Sequence, residues 1–504
     1  MAAPLVLALG LVVPQSVGLF GSPATFPTGG VPTTVLAGDL DRDGALDLVA
    51  PTTAATTSIL LGDGHGAFAA ASPVAASGAT VLGDLTGDGI LDLVTGSGSA
   101  VEIRAGDGAG GFGAPASFSA TSPHAMSAAD VDADGDLDLV ATADGRAGLF
   151  VHLGDGAGAL AAETTAAPGD AGGELALGDF DGNGLPDAAT SRADVLSIAL
   201  ATGGGGFATS YSQVSPSSAF FPFGAVAVAD VTEDGRLDVV AARNDLHFLL
   251  AVGFLVLVGD GAGGAAGSIP LNQTSAFPVA FSVSDVTGDG RSDLSFVRAN
   301  LFAPSVYVRE GLGGGSFAAS VPYASGGTAR FVTTADLDGS GRLDVAAANL
   351  ESNVGVLLNV APLPAGLTTS GTGTPGCAGI HGIAATSPPT LGNAAFAIVT
   401  TGAPPSSLGL LLVADVADPV GHDVFGIGVI EHLDFFASSL LLPLNALSDG
   451  AGYGLAPVPI PNVASFAGAT VHAQTKWLWL GAVACDPSPF GLSSSKLLSI
   501  VLGP

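Results

Sequence analysis

A nine-residue acidic pattern, D-x-[DT]-x-[DNS]-G-x-x-D, constrains the fold of this chain more than any other feature. Its seven copies are spaced by 45, 46, 49, 51, 55 and 51 residues and begin at Asp39, Asp84, Asp130, Asp179, Asp230, Asp285 and Asp336. A period of this size predicts one supersecondary unit per repeat. Short apolar or alternating runs flank the copies, such as residues 226–229 and 237–241, so each copy is predicted to be the turn of a β-hairpin.

A glycine-rich box follows most copies, for example LGDGHGAF at residues 61–68 and EGLGGGSF at residues 310–317. Glycine permits the positive φ of a tight hairpin turn, and we expect the closing aromatic residue to pack between neighbouring units. Each repeat then contains about four short strands. Four-stranded sheets repeated around an axis form the blades of a propeller, so seven repeats predict an all-β, seven-bladed β-propeller. An open solenoid of the same units is the alternative.

The two ends of the repeat region predict ring closure. The seventh copy lacks a glycine box, and its missing segment is found near the N-terminus. Phe20 lies 19 residues before Asp39, and Phe317 lies 19 residues before Asp336. We therefore expect residues 19–28 to form the outer strand of the last blade, which removes the exposed edges of an open array.

Both motifs resemble the FG-GAP (VCBS-type) repeats of the integrin α-subunit propeller and of many secreted bacterial proteins. The resemblance covers residues 19–360 and includes a literal Phe-Gly-Ala-Pro run at residues 112–115. It implies a propeller with calcium-binding loops on one rim. It identifies no ligand, because the same fold serves adhesion, glycan binding and catalysis.

The acidic pattern has the chemistry of a calcium loop. Oxygen-bearing side chains stand at positions 1, 3, 5 and 9, a backbone carbonyl is available at position 7, and position 6 is always glycine. Calcium takes six to eight oxygens at about 2.3–2.6 Å. The alternative is a plain hairpin turn. However, two unit charges 4 Å apart repel by about 4 kcal/mol at an effective dielectric constant near 20, so several carboxylates need a cation.

We therefore predict up to seven structural Ca²⁺ ions. The alanine, threonine or phenylalanine at position 12 replaces the glutamate that an EF-hand needs. Loops 1 and 3 carry four carboxylates and should bind most tightly. The predicted ligands are Asp39, Asp41, Asp43, Asp47, Asp84, Thr86, Asp88, Asp92, Asp130, Asp132, Asp134, Asp138, Asp179, Asp181, Asn183, Asp187, Asp230, Thr232, Asp234, Asp238, Asp285, Thr287, Asp289, Asp293, Asp336, Asp338, Ser340 and Asp344.

Charge and composition exclude nucleic-acid binding and indicate a β-rich fold. The net charge is −32, and 13 Lys and Arg residues among 504 cannot form the basic groove that nucleic-acid binding requires. Only 12% of residues are charged while 75 are glycine, which is typical of a β-rich chain with many turns.

Residues 1–18 are predicted to be a signal peptide, which predicts a secreted or cell-surface protein. Residues 4–13 form an apolar run of signal-peptide length, and small residues at 16–18 suit cleavage. No Lys or Arg precedes the run, so a trimmed gene start or a buried strand remains an alternative. No later stretch is typical of a transmembrane helix.

The chain after the repeats is predicted to be a separate small domain. Residues 361–376 are rich in Pro, Gly and Thr and are predicted to be a linker, and residues 377–504 a β-rich, sandwich-like domain. Cys377 and Cys485 are a disulfide candidate, with two free buried thiols as the alternative.

No catalytic motif is present, which favours a binding or adhesion protein for an extracellular protein or glycan over an enzyme. A polysaccharide lyase or hydrolase on the propeller scaffold is the alternative, and a purely structural envelope component is a third possibility. The sequence leaves the oligomeric state open. Aromatic and basic residues in the region of the fifth and sixth repeats could contact a ligand or simply pack: Tyr211, Phe220, Phe221, Phe223, His247, Arg298, Phe302, Tyr307 and Arg309.

Overall fold

The computed structural model describes most of the repeat region and a smaller part of the chain after it. The described residues are 19–143, 146–166, 172–192, 195–214, 223–243, 252–273, 278–298, 306–360, 367–370, 382–385, 389, 391, 397–401, 408–422, 431–434, 437–438, 440–448, 454–458, 460, 466, 468–478, 492–495 and 497–502. These residues contain no α-helix, and accordingly no helix among them could span a membrane. The predicted signal peptide, Cys377, Cys485 and Trp479 lie outside them.

The repeat region forms seven four-stranded antiparallel sheets within the described residues. Strand β1 (Ala24–Pro27) comes first in the chain but belongs to the last sheet. Sheets 1 to 3 consist of β2 (Leu36–Gly38), β3 (Asp47–Pro51), β4 (Thr57–Leu60) and β5 (Ser72–Val74); β6 (Ala79–Gly83), β7 (Asp92–Ser97), β8 (Ala100–Arg104) and β9 (Ala116–Ser119); and β10 (Pro123–Ala129), β11 (Asp138–Ala143), β12 (Leu149–His152) and β13 (Thr164–Ala166).

Sheets 4 to 7 repeat the same arrangement. They consist of β14 (Glu174–Gly178), β15 (Asp187–Arg192), β16 (Val195–Gly203) and β17 (Gly206–Val214); β18 (Phe223–Ala229), β19 (Asp238–Arg243), β20 (Val252–Gly259) and β21 (Ala265–Gln273); β22 (Pro278–Ser284), β23 (Asp293–Arg298), β24 (Val306–Arg309) and β27 (Val321–Tyr323); and β28 (Ala329–Ala335), β29 (Asp344–Asn349), β30 (Asn353–Leu357) and β1. A short ribbon of β25 (Gly311–Gly313) and β26 (Ser316–Phe317) lies between β24 and β27.

Each acidic pattern connects the first and second strands of its sheet, which confirms the predicted hairpin. We call these connections acidic loops 1 to 7, at residues 39–47, 84–92, 130–138, 179–187, 230–238, 285–293 and 336–344. The aspartate at position 9 is the first residue of the second strand in every case. The glycine boxes connect the third strand to the fourth in sheets 1 to 6, as the turn chemistry predicted.

Neighbouring sheets pack face to face. The first strand of each sheet contacts the first strand of the next, and β28 of sheet 7 contacts β2 of sheet 1. A hydrophobic cluster fills each space between consecutive sheets. The cluster between sheets 7 and 1 includes Leu48, Leu337 and Val354. Phe68, which closes the first glycine box, packs edge-on against Phe26 of β1 at 5.1 Å between ring centroids.

The N-terminal strand completes sheet 7, as the position of Phe20 predicted. β1 pairs antiparallel with β30, with Ala24 opposite Val356. Phe20 forms a further bridge with Asn359, and its ring meets that of Tyr323 edge-on at 5.0 Å. The last sheet therefore joins the two ends of the repeat region by main-chain hydrogen bonds.

Hydrogen bonds also join the glycine boxes of sheets 2, 3, 5 and 6 to the acidic loop of the preceding sheet. The N–H of Gly158 donates to the carbonyl of Leu85 at 2.9 Å, and the N–H of Gly315 donates to the carbonyl of Val231 at 2.9 Å. Sheet 7 has no box, and a side chain makes the equivalent bond: Asn359 Nδ2 donates to the carbonyl of Val286 at 2.7 Å. Acidic loops 1, 2, 4, 5 and 6 are thus attached to the sheets that follow them.

The chain from residue 367 forms a second set of strands. They are β31 (Leu367–Ser370), β32 (Gly382–Ala385), β33 (Ala397–Thr401), β34 (Leu408–Ala414), β35 (Ala417–His422), β36 (Glu431–Leu433), β37 (Leu441–Ser448), β38 (Gly454–Pro457), β39 (Thr470–Leu478), β40 (Leu492–Ser494) and β41 (Leu497–Val501). All except the β35–β36 ribbon lie in one nine-stranded sheet, the C-terminal sheet.

The C-terminal sheet differs from the sandwich-like domain that the sequence predicted. Its order is β31-β41-β39-β34-β37-β38-β33-β32, and its two end strands contact each other, so the sheet curls around one core. Trp477 is fully buried in that core and lies over Gly409, where a Cβ would come within 2.5 Å of the indole. The sheet also begins earlier than expected, because β31 lies inside the predicted linker.

Candidate metal centres

The first aspartate of each acidic loop organises the turn. In all seven loops its carboxylate accepts the N–H of the glycine at position 6, at 2.7–3.1 Å. That glycine has φ between +80° and +98° in every loop, a conformation that L side chains rarely adopt. The structure confirms the sharp turn that was predicted at Gly44, Gly89, Gly135, Gly184, Gly235, Gly290 and Gly341.

Position 4 of the loop is also left-handed, which the sequence reasoning missed. Four loops have glycine there, but Arg42, Ala133 and Glu233 adopt φ values of 64°, 64° and 61°. A non-glycine residue in this region carries steric strain. The signal was present in the sequence, since four of the seven copies hold a glycine at a position to which the metal-ligand pattern assigned no role: Gly87, Gly182, Gly288 and Gly339.

Position 5 oxygens hold the next part of the turn. In each loop the side-chain oxygen at position 5 accepts the N–H of position 7, at 2.7–3.4 Å. The neutral residues Asn183 and Ser340 make this bond as the aspartates do. The carbonyl at position 7 is therefore anchored beside the acidic side chains.

Four acidic loops bring three carboxylates together. One oxygen from each lies within 4.8 Å of the others in the groups Asp39, Asp41, Asp43; Asp130, Asp132, Asp138; Asp179, Asp181, Asp187; and Asp336, Asp338, Asp344. Asp47 and Asp134, the fourth predicted carboxylates of loops 1 and 3, lie outside these groups. Such a set of hard oxygen donors fits a divalent cation such as calcium.

The three loops with threonine at position 3 are arranged differently. Loops 2, 5 and 6, all of them described, do not gather three carboxylates as closely. Their hydroxyls nevertheless point among the acids: Thr86 Oγ1 lies 3.5 Å from a carboxylate oxygen of Asp84 and 3.4 Å from one of Asp92. Thr287 Oγ1 lies 3.4 Å from Asp285 in the same way. These loops carry one carboxylate fewer than loops 1 and 3, and a hydroxyl stands in its place.

The aspartate at position 9 is part of the scaffold as well as a candidate ligand. Its side chain is fully buried in all seven loops. One oxygen accepts an N–H at the start of its own loop, and the other accepts an N–H at the start of the glycine box or its equivalent, at 2.7–3.0 Å. In loop 3, Asp138 accepts from Val131 and Gly154. The spacing alone had assigned this residue only a ligand role.

Burial makes these carboxyls poor acids without a cation. Burial raises the pKa of Asp47 to about 7, although the two N–H groups that donate to its carboxylate act to lower the pKa. Burial and the neighbouring Asp285 together raise the pKa of Asp293 to about 8. Burial likewise raises the pKa of Asp39 to about 6. Each loop therefore favours a bound positive charge, which either a proton or a metal ion can supply.

The aromatic and basic residues are only partly brought together. Arg298 lies over the ring of Tyr307, with its guanidinium carbon 3.9 Å from the ring centroid. Arg309, on the strand that contains Tyr307, donates to the carbonyls of Ala318 and Phe317. Tyr211 packs between sheets 4 and 5. Arg309 thus holds the outer part of sheet 6. The remaining members of the predicted set lie outside the described residues, or have a side chain that is not described: Phe220, Phe221, His247 and Phe302, and the side chain of Phe223.

A comparison with known protein families finds a match for part of the repeat region. A family model for the FG-GAP-like repeat matches residues 84–141, 130–190 and 285–347. Each match runs from one acidic loop to the next, so the repeat unit identified from the sequence is the unit of that family. No curated protein sequence matches the chain.

The fold is similar to that of solved structures of low sequence identity. One is an Agrocybe aegerita lectin described as recognising non-reducing terminal N-acetylglucosamine; it is 21% identical over 58% of this chain and 80% of that chain, with a TM-score of 0.43. Another is BBS1N in complex with ARL6DN, which is 13% identical over 68% of this chain and 97% of that chain, with a TM-score of 0.46.

Proposed function

We propose that this chain, which carries FG-GAP-like repeats, is a secreted or cell-surface calcium-binding protein that recognises an extracellular protein or glycan. In this proposal residues 19–360 form a closed seven-bladed β-propeller, and the C-terminal sheet is a separate domain. The observation that carries the proposal is the convergence of three carboxylates in each of four acidic loops.

Calcium is the cation that this donor set suits best. Carboxylate, hydroxyl and carbonyl oxygens are available in each loop, and the flexible coordination of calcium tolerates the variation among loops. Magnesium demands near-octahedral geometry and retains several waters. Sites with few charged ligands in exposed loops bind calcium weakly, in the range of about 10⁻⁴–10⁻³ M that extracellular modules use. This argument supports an extracellular location.

A binding role follows from the placement of the loops. Every acidic loop follows the first strand of its sheet, so all seven lie on the same rim of the proposed ring. Calcium at these loops would stiffen that rim without occupying its exposed surface. With a net charge of −32, the rim would repel polyanions, so the proposed ligand is a protein or a neutral glycan.

A metal count combined with thermal unfolding tests the calcium part of the proposal. The purified protein is dialysed against calcium and against excess EGTA, bound calcium is counted, and unfolding is followed in both buffers. We expect several ions per chain and a higher melting temperature with calcium, because the ion binds only folded loops. Absence of bound metal together with an unchanged melting temperature would contradict the calcium sites.

A ligand screen tests the binding part. Glycan and extracellular-protein arrays are probed with the labelled protein in calcium and in EGTA, and the hits are incubated with the protein to look for depolymerised products. We expect calcium-dependent binding without turnover. Release of shortened polysaccharide would instead support the lyase or hydrolase alternative, and no binding in either buffer would support a purely structural role.

A further inference from the structure

The tip of acidic loop 7 is covered, whereas the tips of loops 1 to 5 are exposed. At positions 4 and 5 of loops 1 to 5 every residue is exposed, but Gly339 and Ser340 of loop 7 are half-buried. Position 6 shows the same contrast with loops 4 and 5, since Gly341 is buried while Gly184 and Gly235 are exposed; Gly89 of loop 2 is buried as well. Some part of the molecule therefore packs on loop 7 that has no counterpart on loops 4 and 5.

Strand β32 of the C-terminal sheet covers this tip. A Cβ placed on Gly341 would lie 2.7 Å from the carbonyl oxygen of Ile383 and 3.1 Å from its nitrogen. Contacts this short between a Cβ and backbone atoms do not occur in real proteins, so only glycine allows the approach. At the same position of loops 4 and 5, a Cβ on Gly184 or Gly235 would meet nothing within 4 Å.

Ile383 belongs to the core of the C-terminal sheet. Its side chain is fully buried and packs in the same hydrophobic cluster as Trp477. The backbone that touches Gly341 is therefore fixed to that core. Because the contact is made by backbone atoms, no flexible side chain can accommodate a movement of the loop tip.

The carboxylates of loop 7 are joined to the same tip. Asp336 accepts the N–H of Gly341 at 2.9 Å, and its oxygens converge with those of Asp338 and Asp344. When the three carboxylates are ionised without a cation, they repel one another, and Asp336 cannot move without moving Gly341. The contact with Ile383 is made one residue after Ser340, a predicted ligand, and three residues from both Asp338 and Asp344.

We propose that acidic loop 7 is the docking point of the C-terminal sheet, and that a cation in this loop fixes the sheet against the repeat region. The cation-dependent part rests on the proposed function. The docking part rests on the Gly341–Ile383 contact alone. Loop 7 is thus assigned a role in domain arrangement that loops 4 and 5 do not share.

Tryptophan fluorescence reports on the C-terminal sheet selectively. Both tryptophans of the chain, Trp477 and Trp479, lie beyond the last acidic loop. A cation that acts only within the repeat region leaves their emission unchanged, while one that fixes the C-terminal sheet alters it. The full-length protein serves for every measurement.

A matched pair of glycine variants tests the docking. Gly341→Ala and Gly235→Ala introduce the same methyl group at φ values of +86° and +80°, so both carry the same backbone strain. Only Gly341→Ala collides with Ile383. We expect Gly341→Ala to shift the tryptophan emission maximum and lower the tryptophan-detected unfolding midpoint, and Gly235→Ala to leave both at the wild-type values. Equal behaviour of the two variants would overturn the docking, whether or not metal is bound.

A second pair tests the role of the cation. Asp338→Asn and Asp181→Asn each remove one charge from position 3, in loops 7 and 4 respectively. We expect calcium titration to change the tryptophan emission of the wild-type protein. In Asp338→Asn the calcium concentration at half-saturation should rise roughly tenfold, which is a tenfold weaker binding constant. In Asp181→Asn it should be unaltered.

The outcomes separate the two proposals. If the bound-metal count is zero, the proposed function fails and the glycine pair still decides the docking. If calcium binds but tryptophan emission does not respond, or responds equally in both asparagine variants, the cation-dependent docking is wrong and the proposed function stands.

Discussion

Backbone strain at position 4 of the acidic loops can be tested by exchanging glycine and alanine between two loops. Ala133 of loop 3 has φ of 64°, and Gly182 occupies the equivalent place in loop 4 with φ of 75°. Neither site is crowded, since Ala133 is exposed and a Cβ on Gly182 would meet nothing within 4 Å. Any change in stability therefore comes from the backbone.

The expected magnitude follows from two opposing contributions. A left-handed conformation costs a non-glycine residue roughly 1–2 kcal/mol. Glycine, however, raises the entropy of the unfolded chain, which costs about 0.4–1 kcal/mol of stability. Ala133→Gly should therefore stabilise the protein by about 0.5–1 kcal/mol, and Gly182→Ala should destabilise it by a similar amount.

Urea unfolding followed by circular dichroism measures both variants, in calcium and in metal-free buffer. Ala109→Gly is the control, because Ala109 is exposed and its φ is not positive. Ala109→Gly should lower the free energy of unfolding by about 0.5–1 kcal/mol, since it raises the entropy of the unfolded chain and relieves no strain in the folded state. If Ala133→Gly destabilises the protein as much as Ala109→Gly does, the argument from backbone strain is wrong.

Three further predictions concern the buried groups. In saturating calcium, Asp138→Ala should lower the free energy of unfolding in urea by roughly 2–6 kcal/mol, because the N–H groups of Val131 and Gly154 lose their acceptor. Asp132→Ala should lower the free energy of unfolding only when calcium is present. In metal-free buffer the free energy of unfolding should fall as the pH rises from about 4 to about 8. The reason is that the folded state raises the pKa of Asp47 to about 7 and of Asp293 to about 8, and so holds protons that the unfolded chain releases. Stability that is constant or rises over this range would refute these raised pKa values. Asn359→Ala should cost about 1–3 kcal/mol in the same assay by leaving a buried carbonyl of loop 6 without its side-chain donor, and an unchanged midpoint would show that the bond is dispensable.

The repeat period predicted the local structure because each copy carries its own turn chemistry. Asp39 and Gly44 are five residues apart, and the bond between them forms within one loop. The same reasoning placed the N-terminal segment, since the distance from Phe20 to Asp39 reproduces the distance from a glycine-box aromatic to the next loop. Short-range signals repeated seven times leave little ambiguity.

Other features depend on contacts that no short-range pattern encodes. The second role of Asp138 involves Gly154, which lies in a different turn of the same sheet. The curled C-terminal sheet has no repeat, so nothing in its sequence gives the order of its strands. The approach of Ile383 to Gly341 joins two parts of the chain with different patterns, and a glycine already explained by its turn gave no hint of a second constraint.

The pairing of β1 with β30 determines when the repeat region can finish folding. Sheets 1 to 6 are each built from contiguous chain and can form one after another as the chain emerges from the ribosome. Sheet 7 needs Ala24 opposite Val356, so it must wait until almost the whole repeat region has been synthesised. Until then the open edges of β30 and of the free N-terminal segment are exposed to other chains, and closing such a long loop is slow. A circular permutant that places residues 19–28 directly after residue 360 would make every sheet local, and should fold faster and aggregate less than the natural order.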